Sequence, residues 1–436
     1  GIKAFLNQAL LKIKKVLQLY ENDYVRQTRE YNQWIAYYEK DISQKRLEAF
    51  NESWEKANHR PSLLLLTFIT NECSESFESL INSLSSQSYS LWDLVVFCDA
   101  DLFENTNRII QKYQNNKNTI RLINFNKSDL SGTVNGFLQN QKNQNIIVLE
   151  TSIILDKDAL FEIALAIIVN SPDVIYADSD RLEIKTGKRN TPSFYPSWSP
   201  ELLFCKNYIS GIIAFRVESI LKAGGFRFDY REYFLYDLVL RISDFSESFY
   251  HIPKIIFHFS KQSEATVQDL PELKVQLVKD TLKSRGLYAH VSPLENSETL
   301  NVKIKPIGSP KVSIVIPTAG KSGNVRGKKV HFLLNFIQSI REKTTYENYE
   351  IVIVHNGDLE SHIVIELNQC SNIVLSHYEK VPFNLSEKIN QGVEASTGEY
   401  ALIVNDDMEL VSPDWIESML GFAQINNIGA VGAKLL

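Results

Sequence analysis

Leu63-Leu64-Leu65-Leu66-Thr67-Phe68-Ile69 is a run of seven residues with a single polar member, and it reads as a short buried strand. A helical stretch follows around Phe77 to Leu84. Two further apolar runs come after it, Leu94-Val95-Val96-Phe97 and Ile146-Ile147-Val148-Leu149. Strands that alternate with helices and are nearly all apolar belong to a parallel sheet covered on both faces.

The same text returns later in the chain. Leu80-Ile81-Asn82-Ser83-Leu84 corresponds to Phe336-Ile337-Gln338-Ser339-Ile340. Tyr89 to Phe97 then matches Tyr346 to Val354, with Trp92 against Tyr349 and Asp93 against Glu350, and Asp158 matches Asp414. Self-similarity on this scale implies two copies of one α/β domain. The expected organisation is an N-terminal helical region over 1–58, a first domain over 59–262, a helix–strand linker over 263–310 and a second domain over 311–436, cut short by roughly half. The linker carries an amphipathic helix (Leu273, Val275, Leu277, Val278, Leu282) and a strand at Val302 and Ile304. In the N-terminal region Ile2, Phe5, Leu6, Ala9, Ile13, Val16 and Leu17 recur at helical spacing between lysines, and Tyr31 to Trp54 continues as a second helix. Packing on the following domain or on a missing partner is the favoured role of the first helix, and lying on an anionic membrane surface is the other.

The chain has 436 residues, 44% of them hydrophobic, and a formal charge of −6. That suits a sizeable core and argues against a nucleic-acid binder, which carries a basic footprint. Cys73, Cys98, Cys205 and Cys370 lie far apart with no CxxC pair, so neither a zinc site nor a disulfide framework is expected, and a reducing compartment is. No run of about 18 apolar residues predicts a membrane span. The chain opens with Gly1 and stops just after an apolar run, which reads as a fragment of something longer.

The chemistry is concentrated in the second half. Lys311-Val312-Ser313-Ile314-Val315-Ile316-Pro317-Thr318 is a buried strand that ends at proline, followed by a loop through Gly320, Gly323 and Gly327. Ligands of parallel sheets sit at the carboxyl ends of strands, so this loop is a natural nucleotide cradle, although a glycine-rich loop is more often a plain turn. Ala401-Leu402-Ile403-Val404-Asn405-Asp406-Asp407-Met408-Glu409 places two adjacent carboxylates at the end of an apolar strand. Such a pair is costly to hold together unless a hard cation such as Mg²⁺ or Mn²⁺ neutralises it. The alternative is an exposed acidic turn ahead of the helix at Pro413-Asp414-Trp415.

The order Pro317-Thr318, His355-Asn356-Gly357, Pro382-Phe383-Asn384-Leu385-Ser386, Asn390, Gly398-Glu399-Tyr400, Asn405-Asp406-Asp407 and Ser412-Pro413-Asp414-Trp415 closely resembles family 2 glycosyltransferases of the GT-A fold. The likeness is strongest to tandem bacterial enzymes of O-antigen and surface-polysaccharide synthesis. The resemblance implies two tandem GT-A-like, Rossmann-like domains with mostly parallel sheets. It implies transfer of a sugar, hexosyl or deoxyhexosyl, from a nucleotide-sugar donor to a glycan or lipid-linked glycan acceptor, metal-assisted and inverting. Asp406 and Asp407 would form the DXD-type site for Mg²⁺ or Mn²⁺, with Asp406 also facing the donor. Pro317, Thr318 and Gly320 would line the nucleotide pocket, Asn390 would approach the ribose or diphosphate, and His355 with Asn356 would stand where the family carries an aspartate for the base. His355 reads equally as a satisfied strand-end histidine. No catalytic base is identifiable in the second copy. The expected location is cytoplasmic, with peripheral association at the inner face of the membrane.

The first copy keeps the order of the family's other landmarks: Tyr176-Ala177-Asp178-Ser179-Asp180, Pro196-Ser197-Trp198-Ser199-Pro200, Asn207-Tyr208-Ile209, Gly224-Gly225-Phe226, Tyr236-Asp237-Leu238 and His251-Ile252-Pro253-Lys254. Its reactive positions are changed. Glu150-Thr151 stands at the acidic pair, Thr67-Phe68-Ile69-Thr70 at the proline loop, and Leu235 at the family's base position. Glu150 could still ligate a metal, and Asp99 or Asp101 could still hold a base. The favoured reading is a non-catalytic structural or acceptor-binding module, in which Asp178, Asp180 and Asp237 support the fold and His258 is a buried, bonded histidine. A scaffold in which both copies are non-catalytic is the competing hypothesis.

Overall fold

The structure is a computed structural model that describes residues 29–39, 60–69, 74–113, 118–125, 129–141, 144–260, 270–295 and 297–433. The amphipathic stretch from Ile2 to Leu17 and most of the second N-terminal helix lie outside the described residues. The chain divides into two compact units, Gly1–Thr281 with Ser292–Asn301, and Leu282–Val291 with Val302–Leu436.

The first unit is built on β1 (Leu63–Ile69), β2 (Trp92–Asp99), β3 (Ile120–Phe125), β4 (Asn145–Leu149), β5 (Ile153–Leu155), β6 (Val174–Glu183), β7 (Lys188–Ser193), β8 (Ile212–Arg216) and β9 (Phe249–Ser260). They form one sheet in the order β3-β2-β1-β4-β8-β6-β9-β5, with β7 paired to β6. The first four strands are parallel, β8 joins β4 antiparallel, and β6 and β9 are again parallel. Leu63, Leu65, Leu94, Val96 and Ile147 face one core with Phe77, Leu80 and Leu84 of the helix Ser74–Ser85, while their alternates Leu64, Leu66, Val95 and Ile146 are buried too. Both faces are thus covered, which is why these strands lack polar alternation.

The linker holds the helix Pro271–Ser284, then β10 (Ala289–Pro293) and β11 (Leu300–Ile304), a two-stranded sheet. The helix and β11 match expectation. β10 carries too little apolar alternation to be read from sequence.

The second unit holds β12 (Val312–Pro317), β13 (Ser322–Val325), β14 (Lys328–His331), β15 (Tyr349–His355), β16 (Ile373–His377) and β17 (Tyr400–Ile403). Its main sheet has the order β16-β15-β12-β17 and is wholly parallel. One face packs Ile314, Ile316, Ile351 and Ile353 against Leu333, Phe336 and Ile340 of the helix Phe332–Lys343. On the other face the helix Leu385–Glu394 approaches closely through Gly392, where a Cβ would come within 2.5 Å of Val315 and 2.8 Å of Val354.

The loop after β12 folds into the antiparallel hairpin β13–β14, which carries Gly323 and has Gly327 at its tip, while Gly320 stays at the strand end. β17 pairs with β12, and its Ala401 and Ile403 are exposed. No helix among the described residues is long and apolar enough to cross a membrane.

Candidate functional site

In the second unit the carboxyl ends of β12, β15 and β17 converge on a bonded polar cluster. Thr318 is buried just beyond β12, and its N–H donates to Val354 O at 2.9 Å, carrying the ladder one residue past Pro317. Its hydroxyl donates to Asp406 Oδ2 and accepts from the Gly320 N–H at 3.1 Å. Gly320 has φ +61°, and a Cβ there would stand 2.8 Å from Asp358 O, so the turn has room for glycine alone.

Lys388 reaches the same place from the helix Leu385–Glu394. Its ammonium is buried and donates to Thr318 O at 2.6 Å and to Asn356 Oδ1. Burial pushes its pKa below the ordinary lysine value, while Asp358 and Asp406 pull the other way. The helix is fixed by its N-cap Asn384, whose side chain accepts from the N–H groups of Ser386 and Glu387.

His355 ends β15 and stacks on His377 at the end of β16, with ring centroids 5.3 Å apart. Its Nδ1 accepts from the Gly357 N–H at 3.1 Å. Burial lowers its pKa first, and the neighbouring His377 adds to this.

Of the residues nominated from sequence, the structure brings Thr318, Gly320, Asn356 and Asp406 into one network, with Pro317 immediately before it and His355 at its flank. Asp407 is exposed beside it. Its carboxylate therefore does not bear the desolvation cost expected of the pair, and Asp406 has Thr318 as donor and Lys388 as nearby cation. Asn390 does not join the network. It is exposed, and two residues on from Lys388 it points roughly 200° around the helix. Lys388 and His377 went unrecognised in the sequence. The signal for Lys388 was a lysine four residues before Gly392, on the stripe that faces the sheet. Among the described residues no cluster of three or more His, Cys, Asp or Glu side chains is set to hold a metal unaided.

The sequence model described as Glycosyl transferase family 2 matches residues 66–233 and again 313–435. The chain belongs to this family. Among curated relatives, the O-antigen biosynthesis protein RfbC of Myxococcus xanthus is 28% identical over 404 residues, which is 90% of this chain and 31% of RfbC. The uncharacterized protein y4gI of Sinorhizobium fredii is 26% identical over 405 residues, 88% of this chain and 43% of y4gI. The chain thus spans less than half the length of either relative. Among solved structures, residues 1–349 of Staphylococcus aureus TarS, in complex with UDP-GlcNAc, superpose with TM-score 0.40 at 15% identity, covering 51% of this chain and 66% of that one. The mannosyltransferase PcManGT from Pyrobaculum calidifontis, in complex with GDP-Man and Mn²⁺, gives 0.36 at 12% identity, covering 54% and 69%.

In the first family 2 segment the corresponding strand ends are differently filled. Phe68 stacks on Phe97 at 5.5 Å and meets Phe226, Phe228 and Phe234 at 6.1, 5.3 and 5.3 Å, while Phe137 caps Phe97 at 5.6 Å. Glu150 is half-buried and accepts from the Gly211 N–H at 2.8 Å, and burial raises its pKa. Asp178 accepts from Tyr195 N and bonds His251 Nε2, both at 2.8 Å. Asp180 bonds His258 Nδ1, Arg189 Nε at 2.5 Å and the Tyr31 hydroxyl at 2.6 Å, the last from the helix at residues 29–38. Asp237 is clamped by Arg227 and Arg241, next to the buried Leu235.

Proposed function

We propose that this chain is part of a glycosyltransferase that moves a sugar from a nucleotide-sugar donor onto a growing surface glycan or lipid-linked glycan, with inversion, on the cytoplasmic side of the membrane. The second unit is the donor-binding half of a GT-A domain. The observation that carries this reading is the bond from Thr318 to Asp406 at the carboxyl ends of β12 and β17, with Lys388 beneath it and Asp407 left exposed.

The residues present fit a hard divalent ion. Mg²⁺ is usually held by one or two carboxylates plus substrate phosphates rather than by a full protein cage, so Asp407 with Asp406 is a sufficient oxygen donor set. When bound, Mg²⁺ or Mn²⁺ would supply positive charge to the leaving diphosphate. The protein's own part is to hold Asp406 in place through Thr318, to fix the ends of β12 and β15 through Lys388, and to present the His355–His377 face toward a base. The first unit, with phenylalanines where the pocket would open, is read as a non-catalytic structural or acceptor-binding copy.

The test is calorimetric titration of the chain with UDP and with GDP, with and without Mn²⁺. Binding that requires Mn²⁺ and is lost in Asp407→Asn is expected. Binding indifferent to both, or no binding of either nucleotide, overturns the proposal.

A further inference from the structure

The connection between β12 and its helix is longer than its counterpart: residues 318–331 lie between Pro317 and Phe332, against 70–73 between Ile69 and Ser74. The extra length forms the hairpin β13–β14, with Ser322 opposite His331 and Val325 opposite Lys328. From Lys321 to His331 it carries Lys321, Arg326, Lys328 and Lys329 and no acidic residue, and all four cations are exposed.

Its tip is Arg326-Gly327, with φ +49° and +80°. A two-residue turn of this hand ordinarily takes asparagine, aspartate or glycine first, because Cβ crowds the following carbonyl oxygen there and only glycine, or a short polar side chain that bonds locally, escapes the cost. Arginine occupies that place while its side chain is 81% exposed, so the conformational cost is not offset by burial. Its recorded ion-pair partner is Glu409, at 3.1 Å, which also pairs with Lys343 at 3.3 Å. Glu409 lies two residues past Asp407, a separation of at most about 7 Å between Cα atoms. The guanidinium is thus paired with a residue two positions beyond the carboxylate pair.

We propose that this hairpin is a phosphate-binding arm, and that Arg326 exchanges Glu409 for the diphosphate of a nucleoside diphosphate donor. The inference rests on the donor site proposed above. A guanidinium fork pairs with phosphate oxygens in a bidentate manner, and the flanking lysines add charge without demanding geometry. The arm suits a small polyanion better than a membrane surface, since it shows no large exposed apolar side chain to insert between lipids; Val325 and Val330 are half-buried.

The decisive experiment compares two substitutions that break the same ion pair in the full chain. Arg326→Asn keeps a residue suited to the turn and should weaken Mn²⁺-dependent binding of UDP or GDP about tenfold while barely changing that of UMP or GMP. Glu409→Gln frees the arginine and should tighten UDP or GDP binding, by about threefold. Equal effects of the two variants would mean that Arg326 serves only its contact with Glu409, and would overturn the proposal. So would unchanged UDP and GDP affinity in Arg326→Asn accompanied by lost binding to phosphatidylserine vesicles. If Asp407→Asn abolishes binding while Arg326→Asn does not weaken it, the arm fails and the donor site stands. If the wild-type chain binds neither nucleotide, both fail.

Discussion

Phe68 and Phe97 face each other at the sixth rung of the β1–β2 ladder, and Pro317 and Val354 occupy the sixth rung of the β12–β15 ladder. The helix that covers this rung runs from Leu130 to Gln139 in the first unit and from Leu385 to Glu394 in the second, which sets Phe137 against Gly392 and Thr133 against Lys388. Three positions are thus phenylalanine where the other unit has proline, valine and glycine. Aromatic rings bury large area and add roughly 0.5–1.5 kcal/mol per well-placed pair, so the first unit has converted the mouth of its sheet into core. In the second unit the small residues let the helix settle on the strands, and the space is taken by a lysine, a threonine and an aspartate. One frame serves stability in one unit and leaves a bonded polar cluster in the other.

The contrast can be broken most directly at Phe226, which is buried within the aromatic group. Phe226→Ala is expected to cost about 3–5 kcal/mol in urea denaturation of the first unit. A cost below about 1 kcal/mol would mean that the rings fill a loose pocket rather than a core.

A second, somewhat smaller effect sharpens the comparison at the opposite end of the strands. Glu350 accepts from Lys311 Nζ, Ser313 Oγ and Thr397 N, each at 2.6 Å, and from Thr397 Oγ1 at 2.8 Å. Although burial alone would raise its pKa, these donors bring it from 4.5 to about 2. A depressed carboxyl pKa stabilises the fold above the unfolded value, and that stabilisation drains away as pH falls from about 4.5 towards about 2. The second unit should lose up to about 3 kcal/mol across this window. Glu350→Gln should flatten the loss in acid denaturation. Asp93, at the same place on β2, accepts from Thr119 N at 3.0 Å in a more open setting.

The smallest effect concerns the seventh rung, where the first unit has Cys98 and the second has His355. Burial raises the Cys98 thiol pKa, whereas the His355 imidazole is lowered by burial and by His377. His377→Ala should move the His355 titration upward, measured by NMR. An unchanged midpoint would leave burial as the whole cause.

The strands β1, β2, β4 and β12 were legible because each is a short apolar run, and the second unit's architecture followed from its likeness to the first. Thr318 and Asp406 were legible because both sit next to a strand end. The aromatic plug was not: Phe68, Phe97, Phe137, Phe226, Phe228 and Phe234 are scattered over the chain, and only the fold collects them. Lys388 was hidden because a lysine in an otherwise mixed helix looks like a solvated charge. Asn390 was named from the family resemblance, and two residues on from Lys388 it lies on another face of the helix. The hairpin escaped notice because Val325-Arg326-Gly327-Lys328 lacks the usual turn pair and flanking alternation.

The border of β4 in the first unit has a meaning of its own. It is closed by β8, which runs antiparallel to it from Asn145 to Leu149, so the bare backbone through which one strand recruits a neighbouring molecule is satisfied there by the chain itself.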